Sequence, residues 1–266
     1  MEIRNAAAPM NGIPAENVFI AVDELGAQHG TGYIVYQFQP HLYPDCPMNL
    51  YFSINSKPDA RYMLFGALVA RARVLRESNR EVRARLYTGV SIDDEAGQEF
   101  YRHNGMDCQE TENLMRMQMP AVDYLPPADC QVMSVPLRTV EEQQALCARM
   151  AAFDVTWLDP GYLSQLQRMP HFAALAMVQN NVAIAELVMA GSGPSCELVA
   201  LYVHPDYRGR GMAKSLIRAG MAVAQQQGVS TFCARLISRS LPQRALANAF
   251  SAQDIQVMNV FPEKYL

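Results

Sequence analysis

Apolar and polar positions alternate along this chain in short runs, broken by longer stretches with a period of three to four. Residues 17–23 (NVFIAVD), 32–38 (GYIVYQF), 49–54 (NLYFSI) and 82–88 read as strands, rich in β-branched and aromatic types. Between them, Leu64, Leu68, Ala72 and Leu75 fall on one face and predict a helix over 60–79. A second helix over 93–103 stops at Asn104-Gly105, and a short strand over 113–119 follows. Three prolines in 120–129 (PAVDYLPPAD) mark a break. A first domain over 1–120, a linker over 121–129 and a second domain over 130–266 are predicted.

The pattern then restarts. A strand over 131–138 leads to Thr139, which with Glu142 forms the T-x-x-E of a capping box for a helix to about Met150. A further helix over 159–168 has Pro160 in its first turn. Strands over 173–178, 182–189 and 197–203 precede a helix over 211–227 with apolar residues at Ala213, Leu216, Ile217, Gly220, Met221 and Ala224. A strand over 230–236, a helix over 242–250 and a strand over 255–261 close the chain. This order predicts an α/β (α+β) fold built on a mixed sheet with helices on both faces.

The two halves correspond at a fixed offset. Pro58-Asp59-Ala60-Arg61 matches Pro205-Asp206-Tyr207-Arg208, an offset of 147 that also carries the strand at 82 onto the strand at 229. Repetition over so long a period points to a duplicated domain rather than a solenoid. The first copy is shorter, with no room for the opening strand and two helices of 131–168.

Composition narrows the function. Hydrophobic residues make up 50%, charged residues 18%, and the formal net charge is −4. No long basic run is present, which disfavours nucleic acid as the main partner. Six cysteines show no metal-ligand spacing, and the five histidines are scattered, so no metal site is expected. No apolar run approaches the ~20 residues that span a bilayer, and the N-terminus has no signal core. A cytoplasmic protein without membrane contact is expected.

The segment from Leu201 to Ala213 carries the chemistry. It leaves a strand, turns on Gly209 and Gly211, and opens a helix. Glycines let the backbone turn and present consecutive N–H groups at a helix N-terminus, where the dipole favours an anion. Arg208 and Arg210 add charge suited to phosphate oxygens. The spacing fits neither a P-loop nor a dinucleotide-binding fingerprint, since Ala213-Lys214-Ser215 stands where those motifs need a further glycine.

Val203-His-Pro205 followed by Arg208-Gly-Arg-Gly211-Met-Ala213 resembles the acyl-CoA signature of the GNAT (general N-acetyltransferase) superfamily, and the element order from 130 onward is similar too. The resemblance implies an acyl-CoA N-acyltransferase-like fold, here in two tandem copies with a degenerate first half, and acetyl-CoA as acyl donor. It further implies that backbone N–H groups over Arg208, Gly209, Arg210, Gly211, Met212 and Ala213 hold the pyrophosphate. Leu201, Tyr202 and Val203 would line the gap for the pantetheine arm.

The catalytic assignments implied by the resemblance are less complete. Glu197 opens the strand before the loop, where the family often has a base. The family's acid, a tyrosine in the last helix, is replaced by Asn248, while the first half carries Tyr101-Arg-His-Asn-Gly105-Met106 in that context. Three readings stay open: no tyrosine acid, Tyr265 as substitute, or Tyr101. Trp157 either lines the acceptor groove or simply packs. The expected activity is acetyl transfer from CoA to an amine acceptor; the alternative is a non-catalytic acyl-CoA-binding or regulatory protein. An incomplete first domain leaves a strand edge for pairing within the chain or in a homodimer.

Overall fold

A computed structural model describes residues 1–119 and 126–266. Most of the proline-rich linker expected over 121–129 lies outside them. The chain forms two compact units, Met1–Thr111 with Asn259–Leu266, and Glu112–Met258. The last eight residues, expected in the second domain, thus belong to the first unit.

The first unit contains β1 (Glu2–Asn5), β2 (Val18–Val22), β3 (Gln28–Phe38), β4 (Met48–Ser56), α1 (Pro58–Glu77), β5 (Ala84–Tyr87), β6 (Val90–Ser91) and α2 (Glu95–His103). The strand β7 (Asp107–Met117) begins there. Leu64, Leu68 and Ala72 of α1 are fully buried, and Leu68 and Ala72 pack with Ile34, Leu50 and Phe52, while Leu75 packs at the margin of that core. The short β1 and β6 escape a reading of periodicity because each holds only one apolar residue.

In the second unit lie β8 (Gln131–Ser134), α3 (Val140–Ala151), α4 (Pro160–Leu166), β9 (Ala173–Gln179), β10 (Val182–Ser192), β11 (Ser195–Val203), α5 (Met212–Gln226), β12 (Thr231–Ile237) and α6 (Leu241–Ala249). The final strand, β13 (Gln253–Tyr265), begins in this unit and ends in the first. The sheet order here is β8-β9-β10-β11-β12-β7. β11 and β12 are parallel and the other neighbours antiparallel, giving the expected mixed sheet. One face packs on α5 through Leu187, Met189, Leu216, Ile217 and Met221. The opposite face packs on α3 and α4 through Leu146, Met150, Leu163, Val188 and Ala200. The capping box forms as read: Thr139 Oγ1 accepts from the Glu142 amide at 3.2 Å, and Glu142 Oε2 accepts from the Thr139 amide at 3.1 Å.

The repeat is visible in the strands. β4 and β11 cover corresponding residues at the offset of 147, from Met48 and Ser195 to Ser56 and Val203, as do β5 and the first four residues of β12. β13 ends by pairing with β5, Glu263 opposite Tyr87 and Tyr265 opposite Arg85. A buried ion cluster holds it. Arg85 Nη1 lies 2.7 Å from Glu110 Oε2 and 2.9 Å from Glu263 Oε2, with all three side chains at most 4% exposed. The guanidinium also donates to Asn49 and lies 4.3 and 4.6 Å from the ring centres of Tyr43 and Tyr87.

Candidate functional site: a splayed strand pair and a glycine loop

Parallel pairing between β11 and β12 runs from Ser195 opposite Thr231 to Leu198 opposite Ala234. β11 continues to Val203 and β12 to Ile237. The strands therefore part beyond Leu198 and leave a wedge between them. A β-bulge marks the same point: Val188 pairs with Ala200 but Met189 with Leu198, so Val199 is the extra residue. An extra residue bends its strand and raises its twist, which is what parts β11 from its neighbour. The bulge also resets the alternation. Cys196 and Leu198 lie in the core under α5, as do Leu201 and Val203, whereas Val199, Ala200 and Tyr202 pack under α3 and α4.

Beyond Val203 the chain makes a single 3-10 turn at Pro205–Tyr207 and enters the glycine loop. Gly209 and Gly211 have φ of 72° and 78°, in the left-handed region where a side chain is strained. A Cβ at either would meet nothing within 4 Å, so the requirement is one of backbone conformation rather than room. Gly211 caps α5, which has no side-chain cap and no acidic residue in its first turn. Among the described residues, the amides from Gly209 to Lys214 have no backbone acceptor. A row of N–H donors at the positive end of a helix follows, on residues exposed over 209–211 and half-buried over 212–214. The side chains of Arg208 and Arg210 are held at its rim: Arg208 Nε donates to the Val203 carbonyl at 3.0 Å, and the Arg210 guanidinium lies 5.6 Å from the Tyr207 ring centre.

The candidate base and acids fall in different places. Glu197 is on β11 one residue before the last parallel pair, with its side chain 32% exposed. Its Oε1 accepts from Arg235 Nε at 2.8 Å. Tyr265 is on β13 in the first unit, so it and the glycine loop belong to different units. Tyr101 is buried in the first unit, packed edge-on to Phe52 and Phe65. Burial pushes its hydroxyl up to about 12. Trp157 is 48% exposed.

Sequence reading missed a network under α3. Glu186 on β10 is 1% exposed; it accepts from Arg149 Nε at 2.9 Å and Nη2 at 2.8 Å, and from the Tyr202 hydroxyl at 2.8 Å. The Tyr202 ring stacks on Phe153 at 4.5 Å between centroids. Burial, then the adjacent Glu186 carboxylate, raise the Tyr202 hydroxyl well above its ordinary range. The only signal was a lone carboxylate within the apolar run of 182–189.

The first unit repeats the register without the loop. β4 pairs with β5 from Met48 opposite Ala84 to Tyr51 opposite Tyr87 and then runs on to Ser56, the register of β11 with β12 at the offset, although β5 ends at Tyr87 where β12 continues to Ile237. Helix α1 begins at once with Pro58, after Lys57. No glycine turn intervenes.

A mixed sheet parted at a bulge, with a glycine loop leading from the parted strand into a helix, defines an acyl-CoA N-acyltransferase-like fold. Residues 143–247 match the family model described as "Acetyltransferase (GNAT) family". The second unit carries a GNAT-type domain over these residues. Eis1 from Mycobacterium abscessus has a similar fold at a TM-score of 0.56 and 13% identity, over 99% of this chain and 72% of that one. A GCN5-related N-acetyltransferase from Anabaena variabilis ATCC 29413 superposes at a TM-score of 0.53 and 13% identity, over 94% of this chain and 63% of its own. At such identities the likeness speaks for fold alone.

Proposed function

We propose that the second unit transfers an acetyl group from acetyl-CoA to an amine. The observation that carries this reading is the end of the β11–β12 register at Leu198 and Ala234, upstream of a loop whose amides from Gly209 to Lys214 have no backbone acceptor among the described residues. The pyrophosphate binds the amides between Arg208 and Ala213, with charge from Arg208 and Arg210. The pantetheine arm enters the wedge beside Leu201, Tyr202 and Val203 and pairs with strand backbone as an added strand would. A backbone N–H at Val203 polarises the thioester carbonyl, and Glu197 accepts the amine proton once its ion pair with Arg235 opens. The thiolate leaves with a solvent proton. The first unit is a degenerate copy that binds no cofactor.

Calorimetric titration with acetyl-CoA tests this reading, with Gly211→Val as control. Saturable binding by the wild-type chain, lost in a variant that still melts cooperatively, is the expected result. No binding by the wild type overturns it. The ion pair between Arg235 and Glu197 favours a second reading, an acyl-CoA-binding protein without turnover. Normal acetyl-CoA binding with no thiol release across a broad amine panel would select that one.

A further inference from the structure

Three pairs of residues stand side by side on the sheet face that α3 and α4 cover farther along. Glu197 on β11 is opposite Cys233 on β12, and Cys233 is opposite Arg116 on β7. One row on, Arg235 is opposite Leu114. Phe232, Ala234 and Leu236 point into the core under α5, so Cys233 and Arg235 take the other face with Glu197 and Arg116. The floor beside the closed end of the wedge is therefore ionic, and it is open: the Glu197 and Arg235 side chains are 32% and 46% exposed, and Arg116 is exposed.

The Arg235 guanidinium is used at one corner only. Nε donates to Glu197 Oε1 at 2.8 Å, and among the described residues no acceptor is recorded for its two terminal nitrogens. Those nitrogens form one edge of a planar fork that matches a carboxylate with two parallel hydrogen bonds. A salt bridge at this exposure contributes little to stability, so packing alone gives little reason for it. Another carboxylate on these rows, Glu112 opposite Ile237, is at the far end of the β12 register.

We propose that this pair recognises an acceptor carrying both an amine and a carboxylate a few atoms apart, an amino acid. The inference rests on the acetyltransferase reading above. The acceptor carboxylate takes the fork of Arg235, with Arg116 adding positive charge on the same floor. That contact draws Arg235 from Glu197 and frees the Glu197 carboxylate beside the amine. The amine nitrogen, its proton passed to Glu197, attacks the thioester carbon; the C–S bond breaks, and the thiolate is protonated by solvent. An amine without a carboxylate leaves the ion pair closed and the base occupied.

The test compares acetyl-CoA-dependent thiol release for each of a set of amino acids with that for its amide and its decarboxylated amine. The wild type is expected to favour the amino acids by tenfold or more in kcat/KM. In Arg235→Met the loss should fall on the amino acids and appear chiefly as raised acceptor KM, abolishing the preference while acetyl-CoA affinity stays as in the wild type. Equal or better use of the amides and simple amines overturns the proposal. So does an Arg235→Met variant that lowers all three series alike, or acetyl-CoA binding without release from any amino acid. A chain that binds no acetyl-CoA fails the underlying reading as well, and calorimetry on the same sample tells the two failures apart.

Discussion

Leu198 and Ala234 are the last residues paired between β11 and β12, and the first unit stops its parallel pair at the corresponding Tyr51 and Tyr87. Both units end the parallel pair at the same register, but only the second follows it with glycines at φ of 72° and 78°. On the proposed reading the gap between β11 and β12 takes an extended arm and the loop takes the anion. By this argument the chain binds one acetyl-CoA, not two. Calorimetry should give a stoichiometry of one per chain. A value of two would mean that the N-terminus of α1 serves as a cradle without glycines.

The cluster around Arg85 makes a sharper claim about the first unit. Arg85→Met leaves Glu110 and Glu263 buried with their shared cation gone, whereas Glu263→Gln leaves Glu110 still paired. Removing one side of a buried ion pair typically costs about 3–5 kcal/mol. Arg85→Met should reach that range and Glu263→Gln should cost clearly less. Denaturant unfolding of the two variants checks the order; equal costs would show that Glu110 does not depend on Arg85.

The C-terminal strand yields a companion prediction. Residues 259–266 belong to the first unit and pair with Tyr87, Leu86 and Arg85. Deleting them exposes the β5 edge and removes Glu263 from the cluster. The shortened chain should show a new, early unfolding transition and faster amide exchange in β5. Unchanged protection of β5 would contradict the pairing.

How much of this was legible depends on range. The loop was readable because Arg208 to Ala213 are adjacent, and glycine spacing reports a local backbone requirement. The duplicate was readable because strands and helices recur at one offset. The bulge at Val199 was not, because it is defined by which residue of β10 each residue of β11 meets. Glu186 looked like an interruption in an apolar strand; its partners Tyr202 and Arg149 are 16 and 37 residues away in sequence. The return of β13 to β5 likewise has no local mark, since alternation names a strand but not its neighbour.

Glu186 tests whether that network shapes the face under α3. Tyr202→Phe removes one hydrogen bond to a carboxylate and keeps the stack on Phe153, a cost of about 1.5–3 kcal/mol. Glu186→Ala strips the partner from Arg149 and from the Tyr202 hydroxyl together, and should cost more. Thermal denaturation of the two variants and the double variant measures it. If the double variant equals the sum of the singles, the hydroxyl and the carboxylate are not coupled.

Cysteine chemistry gives a pH test of the second unit. Cys196 on β11 is 1% exposed, and burial pushes its thiol up to about 11. The folded state thus favours the neutral thiol, while the unfolded thiol ionises near its ordinary ~8.5. The contribution to stability is whole below that ordinary value and lost as pH rises through about 11. Cys108 is half-buried, the least covered of the six cysteines, though burial raises its thiol too. At pH 8, a thiol reagent should modify Cys108 first and reach Cys196 only as fast as the second unit unfolds. Labelling of Cys196 at the rate of the denatured chain would mean that β11 is not packed beneath α5.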